Sequence, residues 1–234
     1  MEKTSHFCRT EDIIYLFTKS LNSDRILLMA AHSFTVKEAL SFGWNTFKKN
    51  WQFLIVVFII VVIVGMIPSW LHDWARDNMP SVSFVFSIIS WVLQMITSIG
   101  VIVISLKIVD GKKPKFNDIY IHYPMLLNYF LGSLLYGLVT IGGFFLLIVP
   151  GIIWGIKYQY TTYLIIDQGM SPMQAFKKSG TITQGQKMKL FWLGLCYIGI
   201  TLLGILTVGI GLVISWPIIA LSGAYVYRKL SPKK

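Results

Sequence analysis

Lys157 is a cation inside a long apolar stretch, followed closely by Gln159, Thr161 and Thr162. An ammonium in hydrocarbon is costly, so an intramembrane lysine reads by default as a binding or ion-pathway residue. With amide and hydroxyl groups beside it, its natural ligand is an anion such as a lipid phosphate. Lys157, Gln159 and Thr161 are therefore the candidate anionic-ligand or lipid contact. A second reading stands beside it: Lys157 lies about 10 Å below the external end of its span and snorkels to that interface. Apart from Asp167 at the very end of the fourth, no Asp or Glu lies in the apolar runs, which argues against a proton- or cation-coupled transporter built on a carboxylate.

Other chemistries lack their residues. The four histidines His6, His32, His72 and His122 are scattered without metal-ligand spacing. Cys8 sits near the N-terminus and Cys196 inside an apolar run, so the two are unsuited to pair, and Cys196 reads as a small packing residue. There is no phosphate-cradling loop and no serine in a nucleophile elbow. The expectation is a chain with no catalytic residue, no metal and no cofactor.

The elements that must carry Lys157 are membrane spans. The chain is 55% hydrophobic and only 13% charged, with a mean hydropathy of +0.65, against roughly 25% charged in a soluble domain. Apolar runs predict six helices over about 52–71, 84–106, 125–148, 151–167, 189–207 and 210–227. The third and fourth are separated at Val149, Pro150 and Gly151, where a donor is lost and a flexible residue follows. Gly209 and Gly211 separate the fifth and sixth.

The net charge of +11 reads as topology rather than nucleic-acid binding. Lys37, Lys48 and Lys49 precede the first span, and Lys107, Lys112, Lys113 and Lys115 follow the second. Lys177, Lys178, Lys187 and Lys189 lie between the fourth and fifth, and Arg228, Lys229, Lys233 and Lys234 follow the sixth. All fall on one side of a six-span chain, while the opposite loops hold only Arg76, near Asp73 and Asp77. The positive-inside rule makes that side cytoplasmic, with both termini there. Such lysines also face anionic lipid head groups, each worth about 1 kcal/mol near the surface.

Two lead-ins share a helix-start device. Thr35 with Glu38, and Ser171 with Gln174, each have the spacing of a capping box. A shift of 136 positions superposes them, and a shift of 57 lays Ile108, Val109 and Asp110 on Ile165, Ile166 and Asp167. Three copies of one unit follow: interfacial segment, span, external turn, span. In the first copy Val36, Ala39, Leu40, Gly43, Trp44, Phe47 and Trp51 form one face of an interfacial helix. Gly151 with Gly155, and Ser133 with Gly137, have small-residue spacing for helix contacts. The domain organisation expected is an N-terminal tail over 1–33, or an extension before a natural start at Met29, a six-span domain over 34–230 and a basic tail over 231–234.

Pro150, Gly151, Asp167, Ala175, Ser179, Gly185, Gly209, Gly211 and Pro217 together resemble the signature of a bacterial integral-membrane group. That group includes the membrane domain attached to some glycerophosphoryl diester phosphodiesterases and stand-alone relatives of unknown function. In the fused members the chemistry resides in a separate soluble domain, for which this chain has no room, so the resemblance implies a membrane module and no catalytic residue. The combined expectation is an all-α membrane protein of six transmembrane helices in three hairpins, each with a cytoplasmic interfacial segment, in the bacterial inner membrane. Its expected role is to bind or organise anionic lipids or a membrane protein partner. The alternative is a small transporter or lipid-handling protein with a polar cavity near Lys157.

Overall fold

A computed structural model of the chain describes residues 33–78, 80–119, 123–207 and 209–232. The proposed tail over 1–33 falls almost wholly outside them, as do Met29 and His122. The compact unit begins at Phe34, and among the described residues it is helical without strands.

The first helix, α1 (Val36–Asn78), starts where the Thr35 hydroxyl accepts the Glu38 backbone N–H at 3.2 Å. Its 43 residues would measure about 65 Å if straight, far more than the roughly 30 Å hydrocarbon core. Asn50 breaks it with φ −123° and ψ 22°, close to the predicted junction of interfacial helix and span. Helix α2 (Pro80–Val109) packs back along α1. Its hydroxyls, such as Ser87, Ser90, Thr97 and Ser98, donate to carbonyls four residues earlier, which satisfies them without water. After α2, a 3-10 turn at Phe116–Ile119 is pinned by the buried Asp118, which accepts from Lys107 Nζ at 2.7 Å and the Lys115 amide at 2.8 Å.

Helices α3 (Leu126–Leu146) and α4 (Ile148–Tyr158) form a tight hairpin whose only non-helical residue is Leu147, extended at φ −168°. The break therefore falls before Val149, Pro150 and Gly151, not at them. Pro150 sits in the first turn of α4, where its missing N–H leaves no helix bond unmade. Gly143 and Gly151 face each other so closely that a Cβ on Gly143 would stand 2.9 Å from the Gly151 Cα. Of the predicted small-residue pairs, Gly155 does lie at this contact, with its carbonyl accepting Tyr136 Oη at 3.3 Å. Gly137 meets nothing; Gly132 is the close-contact residue of α3, because it faces Ile165 at a would-be Cβ distance of 2.3 Å.

The chain continues through α5 (Thr161–Gln168), α6 (Pro172–Ile182), α7 (Lys187–Leu206) and α8 (Ile210–Leu230). Gly169, Gly185 and Gly209 take φ between 62° and 80° at the turns between them, a region that favours glycine. Ser171 precedes α6 in extended geometry but makes no side-chain cap, so the second capping box does not form; Pro172 has no N–H to offer, and the start is held by its fixed φ.

Of the six spans expected in three hairpins, four helical stretches among the described residues are long and apolar enough to cross a membrane: Val36–Arg76, Ser83–Val109, Phe116–Leu146 and Lys187–Leu206. The predicted fourth span is two short helices, α4 and α5, with a turn at Gln159 and Tyr160; the 11 residues of α4 rise only about 16 Å. The sixth, α8, carries Pro217, two buried serines and two terminal cations. It packs among α1, α2 and α7. The core gathers Ala39, Tyr160, Leu164, Ala175, Leu190 and Tyr227. Phe145 is 93% and Leu206 78% exposed at the far ends of their helices, which fits surfaces whose solvent is lipid.

Candidate functional site

Lys157 lies in the last turn of α4, against α6. Ser179 Oγ and Thr183 Oγ1 both donate to the Lys157 carbonyl, at 3.1 and 3.0 Å. They hold the end of α6 against a helix end whose carbonyls lack partners of their own. Gly180 makes the approach feasible, since a Cβ there would be 3.0 Å from Lys157 Cε. Tyr158 and Phe176 stack at 3.7 Å between centroids, and Lys157 Nζ stands 4.9 Å from the Tyr158 ring centre.

The result is a groove of about 460 Å³ bounded by Lys157, Lys177, Gln184 and Lys187, with Tyr158 and Phe176 as its aromatic side. Lys177 and Lys187 are exposed and Lys157 is half-buried. No carboxylate lines it. Three lysines line one recess, and phosphate oxygens entering it would accept charge-assisted bonds from their ammonium groups. Lys157 thus opens beside Lys177 and Lys187. The sequence presents Lys177 and Lys187 as markers of sidedness and general contacts to anionic head groups; their spacing gives no hint that α6 folds back over α4.

The three residues proposed as one contact occupy three environments. Gln159 turns away from the groove into a recess between α4 and α7, where its Nε2 has no hydrogen-bond partner. Thr161 is 1% exposed and spends its hydroxyl on the Tyr158 carbonyl at 2.7 Å. Within 133–234, the structure gives the signature residues packing and pairing roles. Ala175 and Ser179 are fully buried, and Gly211 sits 2.6 Å, by its would-be Cβ, from Gly204 Cα at the α7–α8 turn. Pro217 is buried within α8.

Asp167 has a partner that sequence reasoning missed. Arg228, in the last turn of α8, binds it with Nη1 at 2.6 Å and Nη2 at 2.7 Å. The same guanidinium binds Asp110 with Nε at 2.7 Å and Nη2 at 2.9 Å. Tyr227 Oη adds a bond to Asp167 at 2.9 Å, while Gln168 accepts from Lys178 at 2.6 Å and donates to Ser231 at 3.0 Å. Burial lowers the Arg228 pKa, but Asp167 and Asp110 outweigh it and hold it above the ordinary guanidinium value. The ends of α2, α5 and α8 are thereby tied to one arginine. A signal was present: Asp110 and Asp167 superpose at the ends of two spans, and Arg228 lies near the end of the last one. Among the described residues, no group of His, Cys, Asp and Glu could hold a metal ion.

Comparison with known proteins gives similarity to proteins without an assigned activity. Residues 133–234 match a family model described as protein of unknown function (DUF975); the lysine groove, Asp167 and Arg228 lie inside that segment. An uncharacterised protein of Mycobacterium bovis is 27% identical over 235 residues, covering 87% of this chain and 70% of the relative. One from Mycobacterium tuberculosis H37Rv is 26% identical with the same coverage. No solved structure matches.

Proposed function

We propose that this is a non-catalytic, multi-pass protein of the bacterial cytoplasmic membrane that binds anionic lipid head groups in the groove of Lys157, Lys177 and Lys187. The observation that carries the reading is the convergence of these three lysines on one recess lined by no carboxylate. Aromatic stacking and the Ser179 and Thr183 bonds give that recess a fixed wall, which lowers the ordering cost of binding there. The one-sided distribution of lysines supports placing the groove and both termini on the cytoplasmic face. On this reading the bundle crosses six times, with α4 and α5 together making a broken fourth crossing and α8 an inner sixth. A reporter fused near Lys177 should then report cytoplasm; a periplasmic signal would overturn the topology.

Binding is tested by purifying the protein in neutral detergent and offering phosphatidylglycerol, phosphatidylcholine or inorganic phosphate. Wild type should take phosphatidylglycerol over phosphatidylcholine, and the triple substitution K157L/K177L/K187L should remove that preference. Substituting Lys112, Lys113 and Lys115 removes the same charge elsewhere and should leave it. Equal loss in both triple variants would mean general electrostatic attraction and refute the groove. Competition by phosphate at comparable concentrations would make the ligand a free anion instead of a lipid.

A further inference from the structure

The recess that receives Gln159 bears on what kind of lipid the groove takes. It encloses about 400 Å³ between α4 and α7, with Gly151, Ile152 and Gly155 on one side and Leu190, Gly194 and Ile198 on the other. Its walls are mainly apolar, with Tyr136 and Thr140 of α3 as polar exceptions besides Gln159, and it runs eight residues along each side, from Gln159 to Gly151 and from Leu190 to Ile198, which is about 12 Å. Nothing lies within 4 Å of a Cβ built on Gly194, so the space beside α7 is open.

This recess and the lysine groove share no lining side chain, but their linings are neighbours along two helices. Lys187 is one turn before Leu190 on α7, and Lys157 lies between Ile156 and Gln159 at the end of α4. The step from the cationic groove to the apolar slot is thus a single turn of α7. On the α4 side of that step the Gln159 Nε2 is buried and unbonded, and a buried donor left without a partner is costly in a folded protein.

We infer that the ligand is an intact ester-linked phospholipid, held with its phosphate among the lysines, one acyl chain between α4 and α7, and an ester carbonyl accepting from Gln159 Nε2. The inference rests on the head-group reading above and adds the chain and linkage. It accounts for three features that head-group binding alone does not: the apolar slot, the open space at Gly194 and the unbonded amide at the junction. A free phosphate would engage only the first site, whereas a phospholipid engages both.

The test measures binding of dioleoyl phosphatidylglycerol to the full chain in neutral detergent. Gly194→Leu fills the slot; Gly199→Leu places the same side chain on the same helix, also in open space, outside the recess. G194L should bind at least fivefold more weakly than wild type, with G199L unchanged. A second measurement is independent of that substitution. Wild type should prefer the ester lipid over its ether-linked analogue by at least threefold, and Gln159→Leu should abolish the preference. If G194L binds like G199L and wild type does not discriminate ester from ether, the chain site is wrong, while the defect of K157L/K177L/K187L still stands or falls separately. If that triple variant keeps wild-type affinity, the head-group reading itself is overturned.

Discussion

Replacing Arg228 with Met should be among the most damaging single changes in the chain. The guanidinium makes four bonds of 2.6–2.9 Å to Asp110 and Asp167. Its side chain is 11% exposed, and the two carboxylates are 19% and 6% exposed. At this range and an effective dielectric near 20, each pair gains about 4 kcal/mol before desolvation. Desolvation offsets much of that in the intact cluster, but truncating one partner leaves the buried opposite charge uncompensated, typically at about 3–5 kcal/mol. For a chain of this size the loss converts to a fall in Tm on the order of 6–20 °C. The assay is thermal unfolding of purified protein in detergent, followed by tryptophan fluorescence. R228K keeps the charge but not the forked geometry and should fall between wild type and R228M. Adding D110N and D167N to R228M should recover part of the loss, because the stranded charges are gone. An R228M melting within 2 °C of wild type would refute the view that this cluster ties the ends of α2, α5 and α8 together.

Two further outcomes follow from the packing around the groove. Gly151→Leu drives a Cβ to 2.6 Å from Phe144 and should destabilise the α3–α4 hairpin by about 1–3 kcal/mol, read as lower Tm and poorer recovery in detergent; Gly137→Leu, in open space, should be tolerated. Ser179→Ala removes one of two hydroxyls on the Lys157 carbonyl and should cost about 1 kcal/mol. It should also weaken phosphatidylglycerol binding although Ser179 lies outside the lining of the groove; full binding by S179A would show that α6 is held by other contacts.

The first lead-in shows what local chemistry can reveal. Thr35 caps α1 as its spacing predicts, and Asn50 breaks the helix near the predicted junction. The second lead-in has matching spacing but no side-chain cap at Ser171. Spacing reports that a cap is feasible, while tertiary packing decides where the hydroxyl and amide turn. The α3–α4 break was likewise visible, but its place was displaced to Leu147, because a proline can open a helix as readily as end one.

Helix content, the approximate positions of the helices and the glycine turns were legible because each depends on residues within a few turns: apolar length and chain breaks. The candidate site was legible only in Lys157. That α6 folds back to set Lys177 and Lys187 beside it, that Gln159 and Thr161 face elsewhere, and that Asp110 and Asp167 share Arg228 were decided by tertiary structure alone. These pairings join residues as many as 118 positions apart, and nothing in local periodicity says which polar ends will meet once apolar faces have packed.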